Sequence, residues 1–459
     1  MKNVKVTVDF NNINGKIKAM HGVGQPPQPA NNTHYHYLTE AGIPYSRLHD
    51  VGGWMGGGLY VDIPNIFRDF DADVNDPASY DFAFTDRLIN NLLAAKCEPY
   101  FRLGVTIENL HMLKYYRLDP PKDNLKWAQI CEHIIAHYTE GWANGFEHKI
   151  TYWEIWNEPD DCYKVETAAM WKGTPEQYFK LYSVTAKHLK ERFGEKIKIG
   201  AFGHCGVYEY KKDKDLEGIP GEPTYIYDFT IQFLHGFMKH IVKENAPLDF
   251  FSWHVYDNCH PSVREDFKEI RHHADYVRAI LDHYGYNHAE HHLNEWNLWT
   301  KVDRKDEPIA AAKSLAFMLM MQKTSTDVMC YYDARMNYGA YSGMFNPDTT
   351  APYRNYYAFS SFNSLYKLKN QVETTSTDDN VQVGGAVNGV KGVLCLSNVD
   401  SDRVVVELDV KNFATDDVDI LLIDNVHRYC STGRTLEGGK IALEPNTCME
   451  IRFLDLSKK

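Results

Sequence analysis

An alternation of short apolar runs with amphipathic stretches constrains the fold of this chain more than any other feature of its sequence. It extends from about residue 19 to residue 345 of the 459 residues. Strands that alternate with helices in this way indicate βα units and a parallel sheet. Eight such units predict an α/β fold built on a TIM (β/α)8 barrel with long loops. The predicted strands cover residues 19–24, 45–49, 99–104, 150–156, 197–202, 249–256, 291–296 and 328–332.

The last part of the chain has a different hydrophobic period. After about residue 370, apolar and polar residues alternate singly, and the N-terminal run at 4–10 has the same pattern. Period two with Asn, Asp and Gly turns indicates antiparallel strands in a sandwich. We therefore predict a (β/α)8 barrel over residues 15–350 and a C-terminal antiparallel β-sandwich that includes the N-terminal strand. The sandwich would consist of residues 1–14 together with 351–459.

Composition and charge exclude several classes of protein. The formal net charge of -13 argues against a nucleic-acid partner, which needs clustered Lys and Arg. The most apolar helix-like run, 310–321, is too short to span a membrane, and the alternating N-terminus does not look like an export signal. Nine cysteines without paired spacing fit a reducing compartment. We expect a cytoplasmic protein with no membrane partner, and leave a processed secreted form open.

The motifs that would imply a cofactor are absent from the sequence. No His-Glu-x-x-His or Cys-x-x-Cys spacing suggests a metal site. The glycine-rich loop at 50–58 lacks the Gly-Lys-Ser/Thr of a phosphate-binding loop. We therefore expect neither a metal nor another cofactor.

Two glutamates follow predicted barrel strands. The run 150–156 leads into Asn157-Glu158-Pro159, and Leu293-Asn294-Glu295 ends another such run. The carboxyl ends of barrel strands form the face on which active sites lie. A lone Glu is more often a surface loop residue, but paired carboxylates at these positions are what hydrolysis of a glycosidic bond requires. We therefore predict that Glu158 and Glu295 are the catalytic residues of a glycosidase.

These segments and several others resemble glycoside hydrolase family 39, a clan A family that contains β-xylosidases and α-L-iduronidases. The resemblance implies a retaining mechanism in which Glu295 attacks the anomeric carbon. Glu158 would protonate the departing oxygen and then act as the base toward water. The two carboxyl groups should lie about 5–5.5 Å apart, and the pKa of Glu158 should be raised. The similarity covers most of residues 40–300, through Arg47-Leu48-His49, Tyr80-Asp81-Phe82, Pro120-Pro121-Lys122-Asp123, 154–159, 176–189 and 250–256.

The resemblance also implies roles for five residues that would bind substrate or support the nucleophile. Asn157 matches a residue that hydrogen-bonds the sugar 2-hydroxyl, and His49 matches one that contacts the sugar. Arg47 would lie beside Glu295, and His254 and Tyr256 form a His-x-Tyr pair whose tyrosine would donate to Glu295. Each residue also has a structural alternative, namely a turn residue, a barrel salt bridge or a core residue with satisfied hydrogen bonds.

Three positions affect the expected sugar specificity. Trp54, in the glycine-rich loop, either stacks on a sugar ring or packs within the loop. Arg102 stands where family xylosidases carry a glutamate, and an inward Arg102 could pair with Asp or Glu or bind a carboxylated sugar. Tyr332 stands where the family usually has a tryptophan that forms the floor of the sugar site.

The prediction is therefore a retaining glycosidase, exo-acting on short oligosaccharides or glycosides and β-xylosidase-like, with an altered sugar specificity left open. Its partner would be a carbohydrate substrate, and a homo-oligomer is left open because family xylosidases are often tetramers. The alternatives are a catalytically silent carbohydrate-binding barrel and a different chemistry on the same fold.

Overall fold

The structure is a computed structural model that describes most of the chain. It covers residues 2–28, 32–51, 61–106, 118–208, 216, 226–298, 306–336, 341 and 343–454. Every barrel strand and the second sheet lie within these ranges.

The chain begins with a long strand, β1 (Lys2–Lys16), and then enters a closed barrel of eight parallel strands. The predicted barrel is confirmed, and each strand begins and ends within two residues of its predicted limits. The sequence pattern predicts these strands correctly because strands that are covered on both faces are continuous apolar runs. The barrel strands are β2 (Ala19–Gly24), β3 (Tyr45–Leu48), β4 (Glu98–Leu103), β5 (Tyr152–Ile155), β6 (Lys198–His204), β7 (Phe250–Tyr256), β8 (Glu290–Asn297) and β9 (Val328–Tyr331).

Helices pack around the barrel, and their ends follow local sequence signals. The helix Pro175–Phe193 begins at the N-cap Thr174, whose side chain and that of Gln177 form a reciprocal capping box. It ends at Gly194, where φ is 57°. No helix of the described part is long and apolar enough to cross a membrane. The helices are α1 (His36–Ala41), α2 (Ile63–Ile66), α3 (Ala83–Ala94), α4 (Asn124–Thr139), α5 (Pro175–Phe193), α6 (Ile226–Glu244), α7 (Pro261–Glu265), α8 (Ile270–His283), α9 (Pro308–Met321) and α10 (Arg354–Leu368).

The remaining strands form a nine-stranded sheet in the order β15-β14-β17-β12-β11-β10-β1-β13-β16. This confirms the predicted second sheet and the place of the N-terminal strand in it. One pair departs from the antiparallel prediction, because β1 runs parallel to β13. Parallel neighbours need a long crossover connection, and here the whole barrel intervenes. The strands are β10 (Asn370–Ser376), β11 (Val381–Asn388), β12 (Lys391–Asn398), β13 (Val404–Lys411), β14 (Val418–Ile423), β15 (Arg428–Ser431), β16 (Lys440–Leu443) and β17 (Thr447–Leu454).

The junction between the two units lies at helices α9 and α10. These helices pack on each other and both contact β11 and β12 of the second sheet. α10 therefore follows the predicted boundary at residue 350 but connects both units, and β1 continues to Lys16. The exact division at 15–350 stays a prediction.

Candidate active site

The loop after β5 places Glu158 at the mouth of the barrel through an unusual backbone conformation. Trp156 and Glu158 have φ of 75° and 44°, in the left-handed region that non-glycine residues rarely adopt. The backbone N–H of Glu158 donates to the carbonyls of Phe202 and Gly203 at 2.9 and 3.2 Å. Residues held in such conformations cluster at functional sites, where the surroundings enforce them.

Glu295 reaches the same pocket from strand β8. The register of β7 against β8 shifts between Leu293 and Glu295, which indicates a bulge at this point. The carboxylate of Glu295 receives two donors, since Arg47 Nη1 lies 2.8 Å from Oε2 and the Tyr256 hydroxyl donates to Oε1. Each carboxylate oxygen of Glu295 therefore accepts a hydrogen bond, which fixes the orientation of the side chain.

His254 on β7 lies between the two glutamates. Its Nδ1 lies 2.6 Å from Glu158 Oε1, and its Nε2 lies 3.8 Å from Glu295 Oε2. One side-chain oxygen or nitrogen of each of Glu158, His254 and Glu295 falls within 4.8 Å of the other two. This spacing would also suit a metal ion, and the one hydrogen bond observed among the three residues is that between His254 Nδ1 and Glu158 Oε1.

Burial shifts the pKa values of Glu158 and His254 in opposite directions. Burial raises the pKa of Glu158 to about 7, against the opposing effect of His49 and with the support of the negative Asp160. Burial also lowers the pKa of His254 to about 4, so His254 is neutral at neutral pH. Glu158 can therefore hold or release a proton near pH 7.

A buried ion network lies beneath the two glutamates. Arg47 is 1% exposed and donates from Nε to Glu154 Oε2 at 2.8 Å and from Nη2 to Asn157 Oδ1 at 2.6 Å. Burial opposes ionisation of Glu154, but Arg47 together with the hydrogen bonds from Ser252 and Asn294 outweighs burial and holds the pKa of that carboxyl below its ordinary value. Arg47 thus connects the nucleophile candidate Glu295, a second carboxylate and the amide before Glu158.

Glu154 is a site residue that the sequence analysis missed. It accepts hydrogen bonds from Ser252 Oγ at 2.5 Å and Asn294 Nδ2 at 2.6 Å as well as from Arg47. The sequence signal was present, because a single Glu interrupts an otherwise apolar and aromatic strand. A completely buried carboxylate needs such partners.

The predicted substrate-binding residues His49 and Arg102 contact each other. Most of their polar side-chain atoms pair with other side chains of the protein. Arg102 is completely buried, and its Nη2 lies 2.9 Å from Asp62 Oδ1. Its Nε donates to His49 Nδ1 at 3.2 Å, and His49 Nε2 lies 3.0 Å from Asp50 Oδ1. Arg102 thus pairs with an acid, whereas its buried Nη1 has no hydrogen-bond partner among the described residues, and its role toward the sugar stays a prediction.

Tyr332, another predicted residue, lies next to Asp50 and Tyr256. The Tyr332 hydroxyl donates to Asp50 Oδ2 at 2.9 Å, and its ring meets that of Tyr256 edge-on at 6.3 Å. Tyr332 thus borders the same pocket as the nucleophile candidate. Trp54 lies outside the described residues.

A parallel barrel that brings two carboxylates face to face at the carboxyl ends of its strands has the architecture of a glycoside hydrolase. The chain belongs to the glycosyl hydrolases family 39, whose model matches residues 30–338. It is 26% identical over 261 residues to a β-xylosidase of Geobacillus stearothermophilus, an alignment that covers 53% of this chain. The aligned part spans only 46% of that relative.

Solved structures share the architecture over the whole chain. A glucosidase from Croceicoccus marinus superposes with a TM-score of 0.75 at 20% identity, over 99% of this chain and 100% of its own. A GH39 β-xylosidase from Caulobacter crescentus gives a TM-score of 0.68 at 15% identity, over 98% of this chain and 100% of its own. At these identities the likeness concerns the fold alone.

Proposed function

We propose that this chain is a retaining glycoside hydrolase that acts on short oligosaccharides or glycosides from their ends, with β-xylosidase-like chemistry. The observation that carries the proposal is the approach of Glu158 and Glu295, which have oxygen atoms within 4.8 Å of each other. Retaining enzymes keep their two carboxyl groups about 5–5.5 Å apart, whereas inverting enzymes need about 6.5–9.5 Å to admit a water. The observed spacing favours retention.

The proposed reaction proceeds in two displacements. Glu295 attacks the anomeric carbon while Glu158 transfers its proton to the glycosidic oxygen, so that the C–O bond breaks and the alcohol leaves. Glu158, now ionised, then takes a proton from a water that attacks the anomeric carbon, so that the bond between this carbon and Glu295 breaks and the Glu295 carboxylate is released. The sugar leaves with its original anomeric configuration, and both carboxyl groups return to their starting states.

The contacts of the two glutamates support this division of roles. Arg47 and Tyr256 both donate to Glu295, and these charge-assisted hydrogen bonds hold its carboxylate in place for attack. Burial raises the pKa of Tyr256 well above its ordinary value, so its hydroxyl stays a donor. Among the described residues, no Lys or Arg is in hydrogen-bond contact with Glu158, and its raised pKa suits a proton donor.

Asn157 is placed to recognise the sugar. Its Oδ1 accepts from Arg47, while its Nδ2 is buried and finds no hydrogen-bond partner within the described part of the chain. A buried donor without a partner is costly, and a substrate hydroxyl beside Glu158 would satisfy it. We assign this contact to the sugar 2-hydroxyl, where a hydrogen bond strengthens in the transition state.

Neutral sugars suit the site better than uronates. A carboxylated sugar needs an available cation, whereas Nη2 and Nε of Arg102 are engaged by Asp62 and His49 and its Nη1 is buried. The relatives described above carry the names β-xylosidase and glucosidase, both of which denote neutral sugars. The nine free thiols and the net charge of -13 support a cytoplasmic enzyme without a nucleic-acid partner.

A panel of aryl glycosides tests the proposal, with the anomeric configuration of the first product followed by NMR. We expect turnover of a neutral β-glycoside, retention, and little turnover of uronides. Glu158→Ala should lose activity on poor leaving groups and give a β-azide product with added azide, whereas Glu176→Ala, an exposed carboxylate of α5, should behave as wild type. Sugar binding without turnover would favour a silent binding barrel, and an inverted product would contradict the mechanism.

A further inference from the structure

A second buried acidic residue lies in the loop that carries Glu158. Asp160 and His204, at the end of β6, are both completely buried. The backbone N–H of Cys205 donates to both oxygens of the Asp160 carboxylate at 3.3 Å, and His204 Nδ1 lies 2.6 Å from Asp160 Oδ2 without the alignment of a hydrogen bond. Neither side chain takes part in the two displacements described above. Burial of this pair is costly unless its members compensate each other, and this cost indicates that the pair has a role of its own.

The contacts of Asp160 join the loop after β5 to the end of β6. The same loop is already tied to that strand end by the backbone N–H of Glu158, which donates to the carbonyls of Phe202 and Gly203. The loop is thus held at positions 158 and 160, on either side of Pro159. These ties enforce the left-handed backbone of Glu158, which a free loop would not retain.

We propose that Asp160 is a positioning residue for Glu158: the Cys205 amide holds its carboxylate by hydrogen bonds, His204 packs against that carboxylate, and the carboxylate holds the loop that directs Glu158 into the pocket. The inference rests on the proposed function, because a completely buried Asp160 influences the reaction only through Glu158. It adds the Asp160–His204 pair to the residues on which acid catalysis depends.

The geometry also has an electrostatic consequence for Glu158. A negative charge nearby disfavours a second one. After burial and the opposing effect of His49, Asp160 is the strongest influence on the pKa of Glu158, and it raises that pKa. The other titratable and charged groups around this pair are Arg47, His49 and Asp50 at β3, Asp161 in the same loop, His204 and Cys205 at β6, His254 and Cys259 at β7, and Glu295 on β8.

The test compares the pH dependence of kcat/KM for wild type and Asp160→Asn, which keeps the side-chain size and removes the charge. With an alkyl glycoside, whose leaving group needs a proton, the alkaline limb should move to lower pH by about 0.5 unit or more. Activity on the alkaline side would then fall about threefold beyond any uniform loss. With a dinitrophenyl glycoside, whose leaving group needs no proton, the first displacement should change less than about twofold.

The matched control is Asp249→Asn. Asp249 also contacts a β6 backbone amide, that of Ile199 at 2.8 Å, but it lies at the opposite end of the barrel from Glu158. We expect this variant to leave the alkaline limb in place. An unmoved limb in Asp160→Asn, or an equal loss on both substrates at every pH, would overturn the positioning role.

Two further measurements separate the possible failures. If Glu158→Gln does not abolish the wild-type alkaline limb, the acid/base assignment fails; if it does and Asp160→Asn leaves the limb unmoved, only the present inference fails. Should Asp160→Asn not fold, His204→Asn replaces it. That variant should lose activity selectively on the alkyl glycoside, and equal losses on both substrates would refute the proposal.

Discussion

Replacement of Arg47 by Met should destabilise the protein because it leaves two buried carboxylates without their cation. Arg47 is 1% exposed and lies 2.8 Å from both Glu154 and Glu295, whose side chains are 0% and 9% exposed. Loss of one partner of a buried ion pair typically costs about 3–5 kcal/mol. The unfolding entropy of a chain of 459 residues is about 1 kcal/mol per kelvin. The Tm of Arg47→Met should therefore fall by about 3–5 °C.

The double variant Arg47→Met with Glu154→Gln provides the sharper test. It contains one unpaired carboxylate instead of two, so it should be more stable than Arg47→Met alone by about 1–3 kcal/mol. Glu154→Gln alone should destabilise the protein, because the amide N–H of the new glutamine would face the Nε–H of Arg47 and two donors would meet. Urea unfolding of the four proteins, followed by tryptophan fluorescence, measures these differences at pH 7.

The pH dependence and a control complete this experiment. Without Arg47 the unpaired carboxyls should have raised pKa values in the folded state, so the loss of stability should shrink as the pH falls from about 7 to 5. The control is Lys122→Met, which removes the cation of a pair with Asp71 whose side chains are 75% and 73% exposed. It should cost less than about 0.5 kcal/mol. Strictly additive losses from the Arg47 and Glu154 variants would refute the idea that one guanidinium compensates both carboxylates.

Three further predictions follow from the site. Because burial raises the pKa of Glu158 to about 7, kcat/KM for glycosides with poor leaving groups should fall about tenfold per pH unit above pH 7, and a flat profile to pH 9 would contradict this role. Tyr256→Phe removes a donor to Glu295 and should lower kcat about 10- to 100-fold with little change in KM or Tm; a rise in KM alone would point to substrate binding instead. Arg102→Leu removes a buried cation 2.9 Å from Asp62 and should lower Tm by about 3–5 °C, while the ratio of activity on neutral glycosides to that on uronides stays the same in a substrate panel.

The fold was largely predictable because its determinants are local. Each element is indicated by a signal within a few residues of sequence. Examples are the apolar runs of the strands, the capping box at Thr174 and the glycine at 194. The approach of Glu158 and Glu295 was predictable for a related reason, since the carboxyl ends of all barrel strands meet on one face. The parallel pairing of β1 with β13 was not predictable, because the alternation of a strand shows which face is buried but not which neighbour it joins.

The sequence by itself determined the architecture of this protein and the positions of its two principal carboxylates. The family resemblance predicted that Arg47 and Tyr256 contact Glu295, but only the tertiary structure decided how the other polar atoms around the two carboxylates are paired. Arg47 lies 107 residues from Glu154 and 248 from Glu295 along the chain, and no local pattern reveals that one guanidinium serves both. The same holds for the partners of Arg102 and for the Asp160–His204 contact. Hydrophobic periodicity is a property of neighbouring residues, whereas hydrogen bonds in a barrel core depend on register between distant strands, to within a few tenths of an ångström.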